Sequence, residues 1–386
     1  MTVLPPDLLG APALRAVLDA IEAGGHRAFL VGGAVRNALL GQPVDDIDIA
    51  TDALPDQVMR LAKAAGLKPV PTGIDHGTIT VVADKQGFEV TTFRRDVETD
   101  GRRAVVAFST DLTEDARRRD FTMNALYAGR DGHVIDPVGG LPDLAARHLR
   151  FVGRPELRIR EDYLRILRFF RFLAWYGQDA EPQAVAACAA LKDGLTGIAR
   201  ERIGAELKKL LAAPDPGPAV ALMDQTGVLR MVLPGADATA LPALIAAEGP
   251  LPPAWPRRLA CLKAPDVSDH LRLSRDEAKT QAALRDAVAA DWSLNEAGYR
   301  LGAALATDQA LICAAHGRPL PQGWQNRIAE AARATLPITA RDLMPALSGP
   351  AIGRGLHAAE AAWIAGEFAV PAPALIDTAL MEGSRT

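Results

Sequence analysis

The chain has 386 residues, 49% of them apolar and 23% charged, with a formal net charge of -4. At about 150 residues per domain that length predicts two or three domains. The apolar share rules out a largely disordered chain, and the slight acidity rules out binding nucleic acid through overall charge. No apolar stretch approaches the ~18 residues of a membrane span. The N-terminal stretch lacks the basic flank and apolar run of a secretion signal. Cys188, Cys261 and Cys313 are far apart and match neither a disulfide framework nor a zinc spacing. The expectation is a soluble, cytoplasmic, multidomain protein with no membrane partner.

In chain order, residues 14–22 predict a short amphipathic helix stopped by Gly24 and Gly25. A buried strand over 28–31 follows, then a Gly32-Gly33 turn and a helix from Ala34 to Gly41. Residues 46–50 alternate acid and aliphatic, as a half-exposed strand does. Two β-branched runs, 78–83 and 88–93, flank a charged turn and predict a hairpin. Beyond Pro155 the strand signals nearly vanish. Helices are expected over 160–176, 182–192 and 200–212, and further Ala-rich helices run to the end. The organisation expected is a mixed α/β head over 1–145, a helical neck over 146–215 and a helical body and tail over 216–386.

Asp46 and Asp48 sit at i and i+2 of the predicted strand, so both side chains share a face. Strand rise separates their Cα atoms by about 6.5–7 Å, a spacing suited to gripping divalent cations from one side. Mg²⁺ takes one or two carboxylates and completes its shell with water and phosphates, and an ion pair about 4 Å apart activates a hydroxyl and stabilises leaving pyrophosphate. Asp-x-Asp also marks ordinary solvated strand edges. Upstream, Gly32 and Gly33 allow backbone N–H groups to approach an anion at a helix start, with Arg36 one turn in. A Gly-Gly turn alone is ordinary turn chemistry; beside an Asp-x-Asp strand, phosphate binding is the better reading.

With LVGGAVRNALLGQPVDDIDIATDALPDQV at 30–58, these features resemble the class II tRNA nucleotidyltransferase and poly(A) polymerase family, within the polymerase-β-like nucleotidyltransferases. RRDFTMNA at 118–125, DPVGGLPDL at 136–144, REDYLRILRFFRF at 160–172 and ARERIGAELKKLL at 199–211 follow in the family's order. One departure is Asn37, where the family usually has Asp. The resemblance implies a polymerase-β-like head with a mixed sheet, then an all-α neck, body and tail. It also implies Asp46 and Asp48 as catalytic metal ligands for a two-ion Mg²⁺ site.

The 160–176 segment can be read physically as well. Tyr163, Ile166, Leu167, Phe170 and Leu173 fall on one arc, and Glu161, Asp162, Arg165, Arg168 and Arg171 on the other, with Phe169 and Phe172 intruding on the charged side. From pattern alone, an ordinary amphipathic helix with a solvated face is favoured. Residues 147–171 nevertheless hold eight arginines and no lysine against three acids, a preference suited to phosphate forks and planar base edges. The resemblance implies that Asp162 and Arg165 form an amino-acid template for the incoming base. Cytosine and adenine each present an amino donor beside a ring-nitrogen acceptor, which an Asp acceptor and an Arg donor match. Uracil and guanine would leave buried groups unpaired.

The resemblance further implicates Gly32, Gly33, Arg36, Arg119, Arg168 and Arg171 in nucleotide binding, with Asp120 near the sugar. The alternative for the latter segment is a helix cap at Asp120 and a solvated arginine run. Glu89 is a candidate third carboxylate, and Arg200, Glu201 and Arg202 are expected to brace the template helix. Within the family, PTGIDHGTITVV at 71–82 resembles the tRNA-repair type, and the chain ends without a basic extension. A flexible loop is expected within 94–112. The function expected is therefore CCA addition to the tRNA 3′ end from CTP and ATP; poly(A) synthesis and A-only or CC-only addition are the alternatives.

Overall fold

The computed structural model describes residues 2–96 and 106–384. Their contacts divide the chain into two compact units, Met1–Val232 and Leu233–Thr386.

The first unit is built on a seven-stranded mixed sheet. Its strands are β1 (Ala28–Val31), β2 (Asp48–Thr51), β3 (Lys68–Gly73), β4 (Thr78–Ala83) and β5 (Gln86–Thr92). A separate antiparallel pair follows, β6 (Arg94–Asp96) with β7 (Val106–Phe108), and then β8 (Tyr127–Ala128) and β9 (Val134–Ile135). The sheet order is β3-β4-β5-β2-β1-β8-β9, with only β2 and β5 parallel. The hairpin expected between β4 and β5 is present. Its two turn residues, Asp84 and Lys85, both have positive φ, and Ala83 pairs with Gln86, the geometry that suits the right-handed strand twist.

One sheet face is apolar, with Ile49, Ile79, Val81, Phe88 and Val90 buried under the helices Pro12–Glu22 and Pro55–Ala64. On the other face a register row runs Thr80, Glu89, Asp48, Val31, Tyr127. Val31 and Tyr127 belong to a core cluster with Ala50, Phe93 and Ala116, while Glu89 and Asp48 lie beyond its edge and are exposed. Two carboxylates are thus placed side by side where the core stops.

Two sequence expectations are corrected here. The strand over 46–50 begins only at Asp48, and Asp46 lies in the connecting segment before it. Its would-be neighbour β1 ends at Val31 because Gly32 turns away at φ 67, a conformation open to glycine, so residue 46 has no ladder partner on that side. The helix over 160–176 is two helices, Pro155–Glu161 and Arg165–Tyr176. Asp162 is extended (φ -153°, ψ 106°), and its carboxylate accepts from the Leu164 amide at 3.0 Å, a local bond that competes with helical continuation. Phe169 and Phe172, assigned to the charged side by periodicity, are buried. They pack with Phe121 and Phe151, ring centroids 5.0–6.2 Å apart, and so fix the Arg165–Tyr176 helix against that pair. Beyond Pro155 one short strand, Asp179–Ala180, pairs with His148–Leu149. Of the loop expected within 94–112, residues 97–105 lie outside the described residues.

The second unit is helical throughout its described residues. Arg275–Ala289, Leu294–Ala315, Pro350–Ala365 and Ala372–Gly383 are its longest helices. Leu294–Ala315 is kinked at Gly302, whose φ of 75° breaks the helical path. Its cores gather around Trp363, Leu375 and Leu343, and around Ala297, Ala310 and Ile328. No helix among the described residues is long and apolar enough to cross a membrane.

Candidate active site

The site begins at Gly32. A methyl group there would meet Arg119 Nη1 at 3.5 Å, so Arg119 lies over the turn at which the Gly33–Leu39 helix starts. Arg119 is held from behind by Asp115: Nη2 donates to Asp115 Oδ2 at 3.0 Å, and Nε donates to the Tyr127 hydroxyl oxygen at 3.0 Å. Asp115 is 1% exposed and also accepts from Arg118, the Tyr127 hydroxyl and the Arg94 amide. Burial alone would raise its carboxyl, but Arg119, Arg118 and these hydrogen bonds outweigh it and hold the group at about 2. Sequence reasoning missed Asp115. Its signal was an acid three and four residues before a buried-side arginine pair, which periodicity reads as an ordinary exposed ion pair.

Asp48 and Glu89 are register partners on adjacent parallel strands, so their side chains leave the sheet together. Partial burial, then Glu89 and Asp46, raise the Asp48 carboxyl above its ordinary range, with Arg119 opposing. That crowding of negative charge is the environment a cation would relieve. Among the described residues no cluster of three or more His, Cys, Asp or Glu could by itself hold a metal ion. A donor set of hard oxygens that stays incomplete fits an ion taking one or two protein carboxylates and finding its remaining ligands in water and phosphate.

Arg36 reaches back to the Gly32-Gly33 turn, its Nη2 3.7 Å from where a Cβ on Gly33 would stand, and is 6% exposed. Its guanidinium donates to Asn37 Oδ1 at 2.9 and 3.2 Å and to Asn124 Oδ1, and lies 3.9 Å from the Tyr176 ring centroid. Asn37, the departure noted above, supplies this acceptor and donates to the Pro43 carbonyl at 2.9 Å, which a carboxylate could not do.

Residues 117–120 join this cluster to the Arg165–Tyr176 helix. Asp120, 8% exposed, accepts from the Phe121 amide, Asn124 Nδ2 and the Arg168 guanidinium. Burial works against its charge, yet Arg168 and these bonds keep the carboxyl below its usual range. Asp120 is therefore neither a helix cap nor solvated. Arg165 donates to the Arg158 carbonyl at 3.0 Å, to Glu161 at 2.6 Å and to the Arg118 carbonyl at 3.4 Å. Asp162 accepts from Arg202 Nη2 at 2.7 Å, a bracing contact of the kind expected of the 200–202 segment. Arg171 pairs with Glu206 and lies over the Phe172 ring. Arg119 thus lies over Gly32 and acts on Asp48 beside Glu89, while Arg165 and Arg168 reach the adjoining Arg118 carbonyl and Asp120. The DPVGGLPDL segment contributes scaffolding: Asp136 accepts from the Gly140 and Leu141 amides, and Gly140 leaves no room for a Cβ, which would fall 2.1 Å from the Thr122 carbonyl oxygen.

The poly A polymerase head domain family matches residues 28–150, and the family described as "Probable RNA and SrmB- binding site of polymerase A" matches 179–239. The chain is 44% identical over 208 residues to the Danio rerio CCA tRNA nucleotidyltransferase 1, mitochondrial, covering 52% of this chain and 48% of that one. It is 41% identical over 237 residues to a Leuconostoc citreum CCA-adding enzyme, covering 61% of this chain and 57% of that one. The chain therefore matches about half the length of these curated relatives. The Bacillus stearothermophilus CCA-adding enzyme, crystallised in complex with CTP, superimposes with a TM-score of 0.75 at 31% identity, covering 92% of this chain and 94% of that one. The chain belongs to the tRNA nucleotidyltransferase and poly(A) polymerase family of metal-dependent nucleotidyltransferases, alongside the CCA-adding enzymes.

Proposed function

We propose that this chain adds C and A nucleotides to the 3′ end of tRNA without a nucleic-acid template, in the cytoplasm. The observation that carries the reading is the pairing of Asp48 with Glu89 on the open sheet face, beside a glycine turn overhung by Arg119. The RNA 3′-oxygen forms a bond to the α-phosphorus of CTP or ATP, the bond to the bridging oxygen breaks, pyrophosphate leaves, and the hydroxyl proton passes to solvent or a neighbouring carboxylate.

Asp46 and Asp48 would hold Mg²⁺, two ions in this reading, with Glu89 as a supporting carboxylate. Bound Mg²⁺ supplies charge neutralisation on the triphosphate and acidifies the attacking hydroxyl. Gly32 and Gly33 admit the phosphates to backbone N–H groups, and Arg36 and Arg119 balance their charge. Arg168, tied to Asp120, and Arg171, tied to Glu206, position the nucleoside. Asp162 accepts from the exocyclic amino group, and Arg165 donates to the ring nitrogen beside it. Their contacts with Arg202 and Glu161 support this reading, because a base-reading pair discriminates only when its own geometry is fixed. Residues 1–145 would carry the chemistry, 146–215 base choice, and 216–386 the tRNA acceptor arm.

Full CCA addition is preferred over A-only, CC-only or poly(A) synthesis, in keeping with the names of the relatives. A radiolabelled CTP and ATP assay on a tRNA transcript lacking its 3′ end tests the proposal. Labelling that depends on both nucleotides and stops after the terminal A is expected; long poly(A) tracts, or no labelling, would refute it.

A further inference from the structure

Arg36 is an unusual buried cation. It donates to neutral amide oxygens on Asn37 and Asn124, and the Tyr176 hydroxyl adds a further side-chain hydrogen bond, with no carboxylate among these partners. Burial lowers its pKa, and the nearest opposing influences are the phenol of Tyr176 and, more remotely, Asp120. A buried guanidinium without a carboxylate is costly unless something else faces it. Here that partner is aromatic. The Tyr176 ring centroid lies 3.9 Å from the guanidinium carbon and the Phe172 centroid 5.2 Å, both within cation–π range.

These rings belong to the Arg165–Tyr176 helix, whereas Arg36 belongs to the helix that starts at the glycine turn. Phe172 also lies under Arg168, at 5.4 Å, and under Arg171, at 4.4 Å. One aromatic step, Phe172 and Tyr176 with centroids 5.5 Å apart, therefore supports three guanidinium groups from two elements. A carboxylate in that place would hold Arg36 as firmly but would cancel the charge that an incoming phosphate is to meet. A ring face holds it while leaving most of that charge available.

We infer that Tyr176, with Phe172 beneath it, is a positioning residue that aims the uncompensated Arg36 guanidinium at the triphosphate, linking the base-reading helix to the phosphate-binding turn. This rests on the reading of the Gly32-Gly33 turn as a phosphate site.

The test compares the wild-type chain with Tyr176→Leu and Tyr176→Phe, using inorganic tripolyphosphate and CMP as separate probes in calorimetry, and CTP and ATP in steady-state transfer. Tyr176→Leu is expected to weaken tripolyphosphate binding about tenfold and to raise KM for both nucleotides about tenfold. CMP affinity and the preference for C and A over U and G should not change. Tyr176→Phe, which keeps the ring face and loses only the hydroxyl contact, should stay within about twofold of wild type. Thermal unfolding of the two variants separates a folding defect from a positioning one. Unaltered tripolyphosphate affinity in a folded Tyr176→Leu protein would overturn the inference, as would an equal loss of affinity in Tyr176→Phe. If wild-type protein binds tripolyphosphate in a Tyr176-dependent way but transfers no nucleotide to RNA, the inference stands and the proposed reaction falls.

Discussion

The two compact units use buried charge in opposite ways. In Leu233–Thr386, Glu248 accepts from both Arg257 and Arg258, and Arg257 also reaches Asp308 at 2.8 Å. Arg257, Arg258 and Glu248 are each at most 4% exposed, and together with Asp308 their charges cancel locally. In Met1–Val232, Asp48 faces Glu89 and Asp46, while Arg36 is buried against amides and rings. Charges that cancel hold a fold together; charges left over await a ligand. Within the first unit the same contrast recurs, since Asp115 and Asp120 are saturated by donors and serve to place Arg119 and Arg168.

Substitutions should separate the two kinds of charge. The largest effect expected is on chemistry. Asp48→Ala, or Asp46→Ala, should lower the transfer rate about 10³-fold or more, the loss of several kcal/mol of charge stabilisation. The melting temperature should hold or rise slightly, because crowding with Glu89 is relieved. A rate within tenfold of wild type would show that these acids are not ligands of an essential ion. Glu248→Ala should do the reverse. Removing the buried carboxylate that the two guanidinium groups share costs about 3–5 kcal/mol, visible as a lowered calorimetric transition, with little change in nucleotide choice per folded molecule.

A smaller effect is expected at Asp162, where Asp162→Ala should reduce discrimination against U and G by roughly 10- to 100-fold, the worth of one unpaired buried group. Unchanged selectivity with all four nucleotides present would remove the template role. The smallest effect concerns acid stability. The Asp115 carboxyl lies at about 2 in the folded chain and near 3.8 otherwise, so the unfolded chain binds the extra proton between those values. Its stabilisation, roughly 2 kcal/mol, is present above about pH 4 and is lost as pH falls towards 2. Asp115→Asn should abolish that part of the acid dependence; a wild-type stability profile in the variant would contradict the assignment.

Much of this was legible in the sequence because it depends on short-range pattern. The Asp-x-Asp segment, the Gly-Gly turn, the β4–β5 hairpin and the ordered series of motifs need only local spacing to be read. What was not legible depends on single side chains acting across the fold. Asp162 interrupts a strongly helical pattern through one bond to the Leu164 amide. The end of β1 at Gly32 leaves Asp46 outside the ladder. Arg36 turns inward to Tyr176, 140 residues further along the chain, and no periodicity reports that approach. Phe169 and Phe172 looked misplaced on a charged face because the helix is enclosed by aromatic side chains from Phe121 and Phe151.

The most direct measurement is single-turnover extension of a tRNA ending at its discriminator base, with all four nucleoside triphosphates and Mg²⁺ present and the product ends sequenced. The account predicts C, C and then A from the wild-type chain, and no extension from Asp48→Asn. Comparable use of U or G by the wild-type chain, or extension by Asp48→Asn at the wild-type rate, would contradict it.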